Sequence, residues 1–187
     1  AIFGMPPRLA RMMVNLSACK AKKTLLDSFC GVGTILQEAL LERAAVVGMD
    51  VNSWCVKAAT ENLEWLVREY NLSGIDFRVV QGDVRLVGKV GLESVDCIVS
   101  EPDLGPALRK IPTVPYAQKV IEKLQPLFYS FIEGAYQVLK PNGRLVLATP
   151  YIRTRSNKAV TMPIDEKLEQ VGFNRVHPFS DDMFARE

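Results

Sequence analysis

Leu9, Met12, Met13 and Leu16 recur at helical spacing and predict a helix from Leu9 to about Leu16. Thr24-Leu25-Leu26-Asp27 is a short apolar run closed by the Gly-rich turn Cys30-Gly31-Val32-Gly33, and it reads as a buried strand. From Thr34 to Arg43 the pattern becomes helical again, with Ile35, Leu36, Ala39 and Leu40 on one side. Ala45 to Met49 is a second strand ending at Asp50, and Asn52 or Ser53 caps a long helix running to Tyr70. Phe77 to Val80 is a third strand, followed by Gly82-Asp83. Val95 to Val99 is a fourth, followed by Ser100-Glu101-Pro102. Leu104 to Pro115 reads as a Pro-punctuated loop, and the stripe from Val120 through Phe128 and Phe131 to Val138 as a helix. Lys140-Pro141-Asn142-Gly143 is a turn before a fifth strand, Leu145 to Ala148. A helix near Asp165 to Val171 and a strand near Phe173 to Val176 end the pattern.

The strands are continuously apolar and alternate with helices, which implies a mostly parallel sheet covered on both faces. The predicted fold is therefore α/β, doubly wound and Rossmann-like. The 187 residues fit one domain. Residues 1–23 read as a linker end and helix, and residues 24–187 as the domain itself. An opening Ala1 in place of Met suggests an excised domain or a processed chain, and Pro6-Pro7 the end of a linker.

Composition narrows the class. Charged residues make up 24%, close to the globular norm of about 25%. No apolar run approaches the roughly 20 residues that span a bilayer, and no signal-peptide pattern opens the chain. Cys19, Cys30, Cys55 and Cys97 sit singly among apolar neighbours, and there is one His. That pattern argues for reduced thiols in a cytoplasmic protein and against a metal site. Charge is segregated: Arg8, Arg11, Lys20, Lys22 and Lys23 fall in an acid-free segment, as do Lys140, Arg144, Arg153, Arg155 and Lys158. Both segments are expected to flank a ligand cleft and meet phosphates.

In doubly wound sheets, ligands bind beyond the carboxyl ends of the strands. Four strands here end in acids: Asp27, Asp50, Asp83 and Glu101. The turn after the first strand lacks a dinucleotide fingerprint, since the third glycine position is Leu36. A ligand with cationic groups and no phosphate suits it better. Asp50, 19 residues beyond Gly31, is placed to take ribose hydroxyls, and Asp83 to accept from an adenine amine. S-adenosylmethionine meets these demands. The expected cofactor set is Asp27, Phe29, Cys30, Gly31, Gly33, Thr34, Asp50, Val51, Asp83, Val84 and Glu101.

Asp27-Ser28-Phe29-Cys30-Gly31-Val32-Gly33-Thr34 with Glu38-Ala39 resembles a motif of class I RNA methyltransferases. Met5 to Leu16, Gly48-Met49-Asp50, Ala59 to Leu63 and Leu139 to Leu145 are similar to the group that makes N2-methylguanosine in tRNA. The resemblance covers roughly residues 5–150. It implies a tRNA or other structured RNA, such as rRNA, as substrate, an N-terminal THUMP RNA-binding domain in the full-length protein, and an activating subunit as a further partner. The family's catalytic loop reads D-P-P-Y-G, where an acid or amide engages the exocyclic amine and an aromatic stacks on the flipped base. This chain has Glu101-Pro102-Asp103-Leu104-Gly105. The resemblance makes Glu101 and Pro102 catalytic and Asp103, Leu104 and Gly105 substrate-binding, and the segregated basic charge adds Arg8, Arg11, Arg153 and Arg155 as substrate-binding residues toward backbone phosphates. Leu104 lacks the aromatic's stacking face, leaving Tyr116 and Tyr151 as substitutes. Two alternatives stay open: another amino acceptor on DNA adenine or a protein, or a catalytically weakened RNA-binding or partner subunit. His177 reads as a surface residue, Trp54 and Trp65 as packing residues, and Phe184 to Glu187 as the start of a further antiparallel strand.

Overall fold

Adjacent residues in an extended strand point to opposite sides of a sheet, so Leu25 and Leu26 can both be fully buried only if both faces are covered. The computed structural model, which describes residues 4–89 and 95–177, has that arrangement. Along the chain lie α1 (Pro7–Leu16), β1 (Thr24–Asp27), α2 (Thr34–Leu41), β2 (Ala45–Asp50), α3 (Ser53–Glu69) and β3 (Phe77–Gln81). A short 3-10 helix (Val84–Lys89) precedes β4 (Val95–Ser100), α4 (Val114–Val138) and β5 (Leu139–Leu147). The antiparallel pair β6 (Tyr151–Arg153) and β7 (Ala159–Thr161) leads to α5 (Asp165–Val171).

The main sheet has the order β3-β2-β1-β4-β5, with every pair parallel. Leu25, Val46 and Cys97 pack with α1, α2 and α3 on one face. Leu26, Met49 and Ile98 pack with Phe131, Ala135 and Val138 of α4 on the other. Within α1, Ala10, Met13 and Val14 are buried in the first of these clusters. A third cluster joins Ile121, Leu124 and Phe128 of α4 to Ile152 and Met162 around the hairpin. From β1 the chain winds one way to β2 and β3 and the other way to β4 and β5. The resulting crevice lies at the carboxyl ends of β1 and β4.

The predicted elements form with four corrections. The Lys140–Gly143 turn is absorbed into β5 as a bulge: pairing jumps from Val95↔Leu139 to Cys97↔Arg144, with Asn142 at φ +64°. Helix α4 starts at Val114 and takes in Pro115, because a proline in the first turn has no hydrogen bond to lose. Phe173 to Val176 forms no strand, and Phe173 instead stacks edge-on against Tyr136, with ring centroids 5.4 Å apart. Trp54 and Trp65 are about half exposed, since Cys55, Ala59, Leu63 and Leu66 supply the buried stripe of α3. All four cysteines are buried and free. The strand expected at Phe184 to Glu187 lies outside the described residues.

Candidate active site

Asp27 ends β1 and Ser100 ends β4, and a short relay ties them together. The Ser100 hydroxyl donates to Asp27 Oδ1 at 3.0 Å and accepts the Ser28 N–H at 3.0 Å. Asp27 Oδ1 also accepts the Phe29 N–H at 3.1 Å. Burial pushes the Asp27 carboxyl up to about 7 against these two bonds, with Asp50 and Glu101 adding like-charge repulsion.

The loop after β1 is held from three directions. The Cys30 N–H donates to the Met49 carbonyl at 2.9 Å, the Gly31 N–H to Asp50 Oδ2 at 2.9 Å, and Asn62 Nδ2 to the Val32 carbonyl at 2.9 Å. Gly31 and Gly33 have φ of +51° and +86°, a region that glycine enters without strain. A Cβ on Gly33 would lie 3.2 Å from that of Ala59, so the loop also packs against α3. Thr34 then starts α2, with Gly33 as its cap.

These constraints leave a cavity of about 220 Å³ lined by Gly4, Met5, Asp27, Phe29, Cys30, Gly31, Thr34, Ile35 and Glu101. Its walls carry two carboxylates and neither Lys nor Arg. Burial raises the pKa of the half-buried Glu101. Six of the predicted cofactor residues meet here. Asp50 sits behind Gly31, its second oxygen accepting the Asn52 N–H at 2.8 Å, and Val51 beside it is 69% exposed.

Gly33, Asp50, Val51, Asp83 and Val84 do not line this cavity. Asp83 lies two residues past β3 and is paired with Arg85, which holds its carboxyl down at about 2. Val84 is buried in the cluster beneath Met49 and Ile98. Gly4, Met5 and Ile35 were not foreseen as wall residues. Their signal was present in the segment opening at Met5 and in the apolar start of α2, but no local rule ties either to a ligand.

Beyond β4, Pro102 is buried while Asp103 and Leu104 are exposed. The Gly105 N–H donates to Asp103 Oδ1 at 2.9 Å, and Gly105 takes φ +95°. Leu104 shares a cleft of about 490 Å³ with Arg109, Lys110, Tyr151 and Arg153. Arg155 closes one side of the hairpin, its backbone N–H donating to the Pro112 carbonyl and its Nε to the Ile111 carbonyl, both at 2.9 Å.

The basic segments do not both flank this region. Lys20, Lys22 and Lys23 precede β1 and Lys140 opens β5, which places them at the amino ends of parallel strands, opposite the cavity. There Lys140 pairs with Asp96 at 3.0 Å. Arg11 pairs with Glu38 at 2.8 Å, and with Arg8 it lines a separate groove shared with Arg144 and the exposed His177. Among the described residues, no three His, Cys, Asp or Glu side chains gather as metal ligands, and no helix is long and apolar enough to cross a membrane.

A five-stranded parallel sheet wound both ways from a Gly loop, with acids at its strand ends, is the architecture of a class I, Rossmann-like methyltransferase. The family model for RMKL-like methyltransferase domains (UPF0020) matches residues 4–177, and the chain belongs to that family. It is 37% identical over 147 residues to a tRNA (guanine(10)-N2)-dimethyltransferase of Methanothermobacter thermautotrophicus, covering 79% of this chain and 39% of that protein. The enzyme of the same name from Methanocaldococcus jannaschii is 34% identical over 78% of this chain and 38% of its own length. The crystal structure of TrmN from Thermus thermophilus superposes with a TM-score of 0.62 at 24% identity, over 91% of this chain and 42% of that one. The chain thus spans about two fifths of the length of the relatives it matches.

Proposed function

We propose that this chain is the catalytic domain of a cytoplasmic, S-adenosylmethionine-dependent enzyme that methylates the exocyclic N2 of a guanine in tRNA. The observation that carries the reading is that Glu101 shares one cavity with the Gly loop of β1, so donor and acceptor would meet at one carboxylate. The names of the relatives support tRNA guanine as the acceptor.

The cavity suits the cofactor chemically. Two carboxylates and no cation favour a positively charged ligand over a phosphate, and Asp50, behind Gly31, has lone pairs beyond those that take the Gly31 and Asn52 N–H groups, with which it would accept from ribose hydroxyls. When bound, the cofactor supplies an already activated methyl group on a cationic sulfur. Glu101 accepts a hydrogen bond from the amine, aims the nitrogen lone pair and stabilises the positive charge that develops on it. Its burial-raised basicity lets a Glu101 oxygen hold the departing proton before solvent takes it. Buried Pro102 and the Asp103–Gly105 turn shape the approach of the base. A THUMP-type domain in the full-length protein, or an activating subunit, would supply the rest of the tRNA affinity.

The test is nucleoside mass spectrometry of tRNA incubated with the full-length protein and S-adenosylmethionine. Wild type yields N2-methylguanosine, and E101A loses at least about 100-fold in rate while retaining affinity for S-adenosylhomocysteine. An E101A enzyme as fast as wild type overturns the assignment. Cofactor binding with no transfer to RNA would instead favour a non-catalytic subunit.

A further inference from the structure

Tyr151 is 72% exposed, yet its backbone is fixed: it pairs with Thr161 in the hairpin, and Arg155 clamps that hairpin to the Ile111 and Pro112 carbonyls. With the backbone already fixed, only the two side-chain torsions remain to be ordered when something stacks on the ring. The cleft it lines also holds Arg109, Lys110 and Arg153 and no acidic side chain. Arg153 is itself oriented, its Nε and Nη2 donating to Asn157 Oδ1 at 3.1 and 2.7 Å. A free aromatic face beside cations matches a nucleotide, with a ring for the base and charge for the phosphates.

Glu101 lines the neighbouring cavity rather than this cleft, but Leu104, three residues beyond Glu101, lines the cleft. The Ala148 N–H donates to the Ser100 carbonyl at 3.1 Å, one residue before Glu101, and Tyr151 follows three residues later, within about 10 Å of chain. Leu104 lines the same cleft but has no π face, and Tyr116 on α4 does not line it. We infer that Tyr151 is the stacking platform for the acceptor base, with Arg109, Lys110 and Arg153 taking the flanking phosphates. The acceptor role rests on the methyl-transfer reading above.

The experiment titrates the full-length protein into a short single-stranded RNA carrying one 2-aminopurine, whose fluorescence is quenched by stacking. Wild type and Y151F should bind and quench, whereas Y151A should bind roughly 5- to 150-fold more weakly and lose the quenching. Melting temperature and affinity for S-adenosylhomocysteine should be unchanged in Y151A. Equal affinity and quenching in Y151A, or no quenching by wild type, would sink the inference. Tyr151-dependent quenching by a protein that methylates no RNA keeps the base-binding assignment and overturns the methyltransferase reading instead.

Discussion

Asp27 is 1% exposed and its carboxyl is raised from 3.8 to about 7, so folding disfavours its charged form. For a group with a raised folded pKa, the contribution to stability is fully present below the unfolded value and is lost as pH rises through the folded one. Over these limits the wild-type protein should lose about 2–3 kcal/mol between pH 5 and pH 8 from this residue alone. Asp27→Asn keeps an oxygen for the Ser100 hydroxyl and the Phe29 N–H but cannot ionise. Its advantage over wild type should therefore grow by about 2–3 kcal/mol across the same interval. Urea unfolding of both proteins at the two pH values measures this directly, because contributions from titrating groups that do not interact with Asp27 cancel in the difference. A difference that stays constant with pH would show that Asp27 is not held out of water in the folded state, and the electrostatics assigned to the site would fail with it. The same carboxylate should couple to ligand binding: a cationic nucleoside favours ionised Asp27, so wild-type affinity for S-adenosylmethionine, with its sulfonium charge, should rise with pH through about 7. Affinity in the Asn variant should stay flatter.

Asp50→Ala removes the acceptor of the Gly31 and Asn52 N–H groups, which should cost about 1–3 kcal/mol in stability. Calorimetry should show S-adenosylhomocysteine binding weakened roughly tenfold or more, a loss of about 1.4 kcal/mol; wild-type affinity would remove Asp50 from the site. Gly105→Ala places a Cβ 2.8 Å from Val120 Cγ1 at φ +95°. Strain of about 1–3 kcal/mol should displace the loop after β4 and lower kcat while cofactor affinity holds; a normal kcat would refute the loop's role.

Local chemistry made much of this protein legible in its sequence. Thr24 to Asp27, Ala45 to Asp50 and the Asn52 cap were readable because an apolar run, a turn glycine and a capping side chain each act within a few residues. The Gly loop and the strand-end acids were readable for the same reason, and parallel winding placed those acids along one edge. Periodicity says which face of an element is apolar, but not which distant segment will lie across it. Only the folded chain, through a sheet order that sets β1 beside β4, brings Glu101 and Met5 to the wall of one cavity. It also joins Asp50 to Gly31, gives Asp83 to Arg85 and buries Val84. Lys20 to Lys23 look like part of one basic surface along the chain, yet the direction of β1 sends them to the far end of the sheet. Charge is carried by residue type, but whether it acts on a ligand is decided by distance through space, which tertiary packing alone sets.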